Sequence, residues 1–177
     1  MDILNRLFGD RRLYAAARAL ELSGGALGDL AAEPAGAAAF FAPLKASLAA
    51  ARNAPGAPEG SATVAAAEDF VRLLEKVFSE TALFGAAPDL AVKEALLCLR
   101  RACELAPRLS GRRGAEAAAG ILGLSGAARK ALAGARAAAD RDPGELTRNL
   151  KFSSIYSGLD AVFDALERCV AAYRSPS

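Results

Sequence analysis

A chain of 177 residues with 22 Lys+Arg against 20 Asp+Glu, 53% hydrophobic and 24% charged, is long enough for one core. It is too evenly charged and too apolar to be a basic nucleic-acid arm or an acidic disordered tail. It has no histidine, which excludes triads, dyads and metal sites built on imidazole, and no tryptophan with only 6% aromatics, which argues against a base-stacking platform and a nucleic-acid partner.

Alanine makes up roughly a quarter of the residues and is interleaved with Leu, Arg, Glu and Lys at helical spacing, while no run of Val, Ile or Thr alternates with polar positions. The expected fold is all-α, a compact bundle of about six helices. The opening, Met1-Asp2-Ile3-Leu4-Asn5-Arg6 followed by charge at Asp10, Arg11 and Arg12, is unlike a secretory leader. No apolar run approaches the ~18 residues of a spanning helix, so an intracellular location is expected.

A short amphipathic start (Ile3, Leu4, Leu7, Phe8) leads to Asp10, which is placed to cap a helix with Leu13, Ala17 and Leu20 on one stripe, ending near Gly24-Gly25. After Pro34 and Gly36, the spacing of Phe41, Leu44, Leu48 and Ala51 predicts an amphipathic helix over 37–52 with Pro43 in its first turns. The stretch Asn53 to Ala62, with Pro55, Gly56, Pro58 and Gly60, reads as the clearest connection and the best internal boundary. A long helix from about Thr63 carries Phe70, Leu74, Val77 and Phe78 and runs out at Gly85 to Pro88. Asp89 then caps a helix with Val92, Leu96, Leu99 and Cys103 as its stripe, ending before Pro107. A polar loop over Ser110 to Gly114 precedes two helical pieces separated by the Gly120–Gly126 stretch, whose glycines are read as helix breaks. The last helix, from Glu145 to about Tyr173, places Leu146, Leu150, Ile155, Leu159, Val162, Phe163, Leu166 and Val170 on its apolar stripe. The organisation expected is a single helical domain, 1–177, whose halves 1–88 and 89–177 echo each other in element order; duplication and chance likeness between alanine-rich helices both account for the echo.

Cys98, Cys103 and Cys169 match neither a CxxC redox motif nor a zinc knuckle and are read as reduced, buried thiols. Asp160, Asp164 and Glu167 share a face of the last helix and are read as a solvated acidic stripe, since no oxygen-rich loop accompanies them. Arg100, Arg101, Arg108, Arg112 and Arg113, then Arg129, Lys130, Arg136 and Arg141, form two basic clusters suited to anionic headgroups or an acidic protein.

The order of segments resembles the peroxin-11 family of peroxisomal membrane-remodelling proteins. The residues that carry the likeness are Gly9-Asp10-Arg11-Arg12-Leu13-Tyr14 at the entry to the first helix and the Leu44, Leu48, Arg52 run of the second. Val71-Arg72-Leu73-Leu74 through Leu83-Phe84 and Leu146-Thr147-Arg148-Asn149-Leu150 are similar to later family segments. The chain departs from the family in a basic face reduced to Lys45 and Arg52, and in Arg168, Arg174 and Ser177 where the family has a hydrophobic anchor. The resemblance implies a peroxisomal membrane location and a role in peroxisome remodelling or proliferation.

The function expected is therefore non-catalytic association with a membrane lipid surface, Phe40, Phe41, Leu44 and Leu48 meeting lipid and Lys45 and Arg52 meeting headgroups. The alternative is a soluble helical adaptor or structural subunit that binds a protein partner or a second copy of itself, in which case the phenylalanines are core. No cofactor, no metal and no nucleic acid are expected.

Overall fold

The computed structural model describes residues 11–53, 59–141 and 143–174, and all of its regular structure is helical. Six α-helices follow one another: α1 (Arg11–Ala32), α2 (Ala37–Asn53), α3 (Glu59–Phe84), α4 (Leu90–Leu105), α5 (Gly114–Ala139) and α6 (Leu146–Arg174). Short 3₁₀ turns at Pro34–Gly36, Ala106–Arg108 and Pro143–Glu145 precede α2, follow α4 and precede α6. The amphipathic start at Ile3 to Phe8, the cap at Asp10 and most of the Asn53–Ala62 connection lie outside the described residues.

α1 packs on α2, α2 on α3, α4 on α5 and α5 on α6, whereas α3 and α4 barely touch; the chain closes on itself because α3 packs along α6 and α1 against both α3 and α4. The α3–α6 interface is the most extensive in the bundle and joins the two halves of the chain. Phe41, Phe70, Phe163, Leu20, Leu48 and Leu159 are fully buried, so one core runs through all the layers. Alanines at buried helix positions, such as Ala16, Ala67, Ala95 and Ala118, bring the backbones close.

Two helices are longer than the glycine pattern predicts. α1 continues through Gly24, Gly25 and Gly28, and α5 is one unbroken helix through Gly120, Gly123, Gly126 and Gly134. Gly24 is a contact point, since a Cβ added there would lie 2.5 Å from the Cβ of Cys103 on α4. A glycine costs an interior helical position about 1 kcal/mol relative to alanine, which tertiary packing easily outweighs. Pro43 falls in the second turn of α2; it and Ala39 are exposed, so the carbonyl that loses its amide partner faces water.

Polar contacts set the register between neighbours. Lys45–Glu75 at 2.7 Å and Arg52–Glu68 at 3.0 Å tie α2 to α3. Arg129–Asp164 at 2.6 Å and Arg136–Asp160 at 2.5 Å tie α5 to α6. Buried Arg12 donates to the carbonyls of Ala51 and Arg52, 3.3 Å each, placing its charge at the negative end of α2. The Tyr173 hydroxyl donates to the Leu13 carbonyl, so the last helix is fastened to the first.

Candidate interaction site

The six residues expected to meet lipid or a partner are placed by α2 in the interior or in ion pairs. Phe41 and Leu48 are fully buried, Leu44 is 9% exposed, and Phe40 is half-buried with its ring edge-on to Phe41 at 5.0 Å. Lys45 and Arg52 are held by Glu75 and Glu68 of α3. The reason is geometric: three- and four-residue spacing specifies an apolar face, and here α1 and α3 cover it.

The carboxylates of α6 also differ from expectation. Asp160 and Asp164 face the arginines of α5, and Glu167 accepts from both Arg129 and Ser125, so the stripe is an interhelical ion-pair seam that stays partly solvated, Asp164 being 54% exposed. This seam holds the Arg129 guanidinium above its ordinary pKa: burial pulls the value down, and hydrogen bonds and charge from Asp164 and Glu167 more than reverse it. Among the described residues no group of three or more Cys, Asp or Glu side chains is placed to hold a metal ion.

Cys103 and Cys169 are fully buried, Cys98 is half-buried, and all three are free thiols. Burial pushes the Cys169 thiol up to about 12 and Cys103 well above the usual thiol range, with the charges of Cys169 and Glu104 adding to the rise at Cys103. Burial also raises Cys98, against the lowering effect of Arg101. Thiolates are the reactive form, so these thiols are suited to packing and not to nucleophilic chemistry near neutral pH.

What the fold does expose is leucine, at one end. Leu83 is 81% exposed in the last turn of α3, Leu90 73% at the first residue of α4, and Leu146 and Leu150 about two-thirds exposed in the first turns of α6. Leu146 and Leu150 were expected on the apolar stripe with Ile155 and Leu159. The stripe begins at Phe152 and continues through Ile155, Tyr156 and Leu159, and at 3.6 residues per turn Leu146 and Leu150 fall on a different face of α6.

This end is tightly built. Gly85, at φ +59°, ends α3 with a Schellman turn in which its amide donates to Ala82 and that of Ala86 to Thr81. Asp89 caps α4 by accepting from the Val92 amide at 2.8 Å and also accepts from the Tyr156 hydroxyl. Burial, then the hydrogen bond and charge of Asp89, push the Tyr156 hydroxyl above its ordinary range, against the lowering effect of Arg148 and Arg136. Lys151 donates to the Phe84 carbonyl at 3.1 Å, and Asn149 to Ala139 at 3.1 Å. An open recess of about 430 Å³ lies between the α3–α4 turn and α6, lined by Phe84 to Ala87, Thr147, Arg148, Lys151 and Phe152. The signal that marks these leucines in the sequence is position: they sit at helix ends beside Gly and Pro turns, where an apolar side chain has no neighbouring helix to cover it.

Among the described residues no helix is long and apolar enough to cross a membrane. No protein-family model, no curated protein and no solved structure matches this chain.

Proposed function

We propose that the protein is a non-catalytic helical adaptor or structural subunit that binds a protein partner through its leucine-bearing end. The observation that carries this reading is the exposure of Leu83, Leu90, Leu146 and Leu150 together at one end of the bundle; among the described residues the other exposed large apolar side chains, Tyr14, Leu97 and Leu122, are scattered singly. Fully burying a leucine is worth about 1.5–3 kcal/mol, so a partner covering several of them has a substantial driving force. The Schellman turn, the Asp89 cap and the Tyr156 and Lys151 hydrogen bonds hold that end in one shape, which lowers the ordering cost of binding. Association with a membrane surface, the reading the peroxin-11 resemblance suggests, would have to use residues other than buried Phe41, Leu44 and Leu48.

The test compares wild-type chain with a variant carrying Leu83→Ser, Leu90→Ser, Leu146→Ser and Leu150→Ser, and with Leu122→Ser as a control. Reciprocal affinity capture is read beside light scattering and vesicle co-flotation. The wild type and the control are expected to hold a stoichiometric protein partner, or a second copy of the chain. The leucine variant is expected to lose at least about tenfold in affinity, ~1.4 kcal/mol, at an unchanged melting temperature. Equal capture by wild type and variant overturns the reading, as does a chain that floats with vesicles and captures no protein.

A further inference from the structure

Most described arginines outside the α4–α5 connection have carboxylate partners, as in Arg52–Glu68, Arg129–Asp164 and Arg136–Asp160. Around that connection the pattern reverses. Arg101, Arg108, Arg112 and Arg113 are all exposed, and among the described residues none of the four forms an ion pair; Arg100 alone in the cluster is paired, with Glu104 at 3.2 Å.

The local fold concentrates these charges. Ala106 and Leu109 are buried and anchor the turn, while the amides of Leu109, Gly111 and Gly114 donate hydrogen bonds to the carbonyls of Ala106, Arg108 and Gly111 and fold the chain back sharply. The polar side chains between the anchors are left facing solvent. α5 begins with Arg113 at its N-cap position and no side-chain cap, so the positive end of its dipole, offset in part by Glu116 in the first turn, adds to the same potential. A recess of about 220 Å³ between α4 and α5 is lined by Leu105, Arg108, Arg113, Glu116, Ala117 and Gly120, which sets two guanidinium groups and one carboxylate beside aliphatic surface.

We propose that this arginine cap docks an acidic segment of a partner protein, with carboxylates paired to Arg108, Arg112 and Arg113 and an aliphatic side chain seated in the recess. The inference rests on the partner-binding reading and adds a second, polar contact at the far end of α4 from Leu90. Charge complementarity selects the occupant. The cluster is all arginine, whose planar fork matches carboxylates bidentately. Among the described residues no large apolar side chain is exposed between Cys98 and Ile121; Leu97 and Leu122, just outside that stretch, are 49% and 43% exposed, so the arginine cap itself presents charge to a partner and not an apolar anchor to a bilayer.

The experiment is fluorescence anisotropy with a labelled peptide of alternating Glu and Ala, its Gln counterpart as control, at about 20 and about 300 mM salt. Wild type is expected to bind the Glu peptide at low salt, to bind it at least about tenfold more weakly at high salt, and to ignore the Gln peptide. Arg108→Glu, Arg112→Glu and Arg113→Glu combined are expected to lower affinity by about tenfold or more. Reversal of Lys93, Lys130 and Arg141, an equal change in net charge, is expected to lower it by less than about threefold. The Arg→Gln triple variant repeats the measurement without charge reversal, and each variant is checked for an unchanged melting temperature. Equal loss in both reversals, no binding at low salt, or flotation with phosphatidylserine vesicles in place of peptide binding overturns the proposal. The leucine variant is expected to bind the acidic peptide as wild type does, so failure here and failure of the leucine-end reading are separately visible.

Discussion

Phe41 shows how one side chain decides between two readings of the same pattern. It is fully buried, while Phe40 beside it is half-buried at the edge of the core, its ring edge-on to that of Phe41. Phe41→Asp is expected to unfold the protein, because it removes a core ring and leaves an unpaired buried charge, a cost of several kcal/mol. Phe40→Asp is expected to cost clearly less. Thermal melts of the two variants check this, and an unchanged melting temperature for Phe41→Asp would contradict the core placement. Lys45 and Arg52 lie on the same helix but are 43% and 52% exposed within their ion pairs, so removing either is expected to matter little.

Helix α5 carries more glycine than its propensity recommends, and the packing separates the glycines into two kinds. Gly123, Gly126 and Gly134 have nothing within 4 Å of an added Cβ, whereas a Cβ on Gly120 would lie 2.9 Å from Leu105. Gly123→Ala, Gly126→Ala and Gly134→Ala are each expected to stabilise the protein by about 0.5–1 kcal/mol, measured by urea unfolding. Gly24→Ala on α1 is expected to destabilise it, since Cys103 and the Arg100 carbonyl crowd the new methyl group. A loss of stability in the α5 variants would mean that those positions are covered in solution.

Cys103 and Cys169 couple the stability of the whole bundle to alkaline pH. Both thiols titrate above their ordinary value in the folded chain, so the folded state holds their protons more tightly than the unfolded one. Their contribution is complete below the unfolded thiol value of about 8.5 and is lost as pH rises from there toward about 12, by up to ~1.4 kcal/mol per pH unit for each thiol. Unfolding free energy measured from pH 7.5 to 10 is expected to fall in wild type and to fall less steeply in the Cys103→Ala, Cys169→Ala double variant. Parallel declines would assign the pH dependence to other groups.

Helical class, the position of most helices, the Asp89 cap and the burial of Cys103 and Cys169 are legible in the sequence, because they follow from local propensity, spacing and turn chemistry. Three features depend on neighbours distant in the chain. Spacing marks an apolar face on α2 but not whether lipid, a partner or α1 and α3 will cover it, and only packing sends Phe41, Leu44 and Leu48 inward. A glycine weakens a helix locally by about 1 kcal/mol, and whether the helix ends there depends on tertiary contacts such as that between Gly24 and Cys103. Arg18, Arg72 and Arg100 find their acids three or four residues away, but the acids that neutralise Arg129 and Arg136 lie across a helix interface. The tertiary structure therefore pairs Arg129 and Arg136 with α6 and leaves Arg108, Arg112 and Arg113 facing solvent.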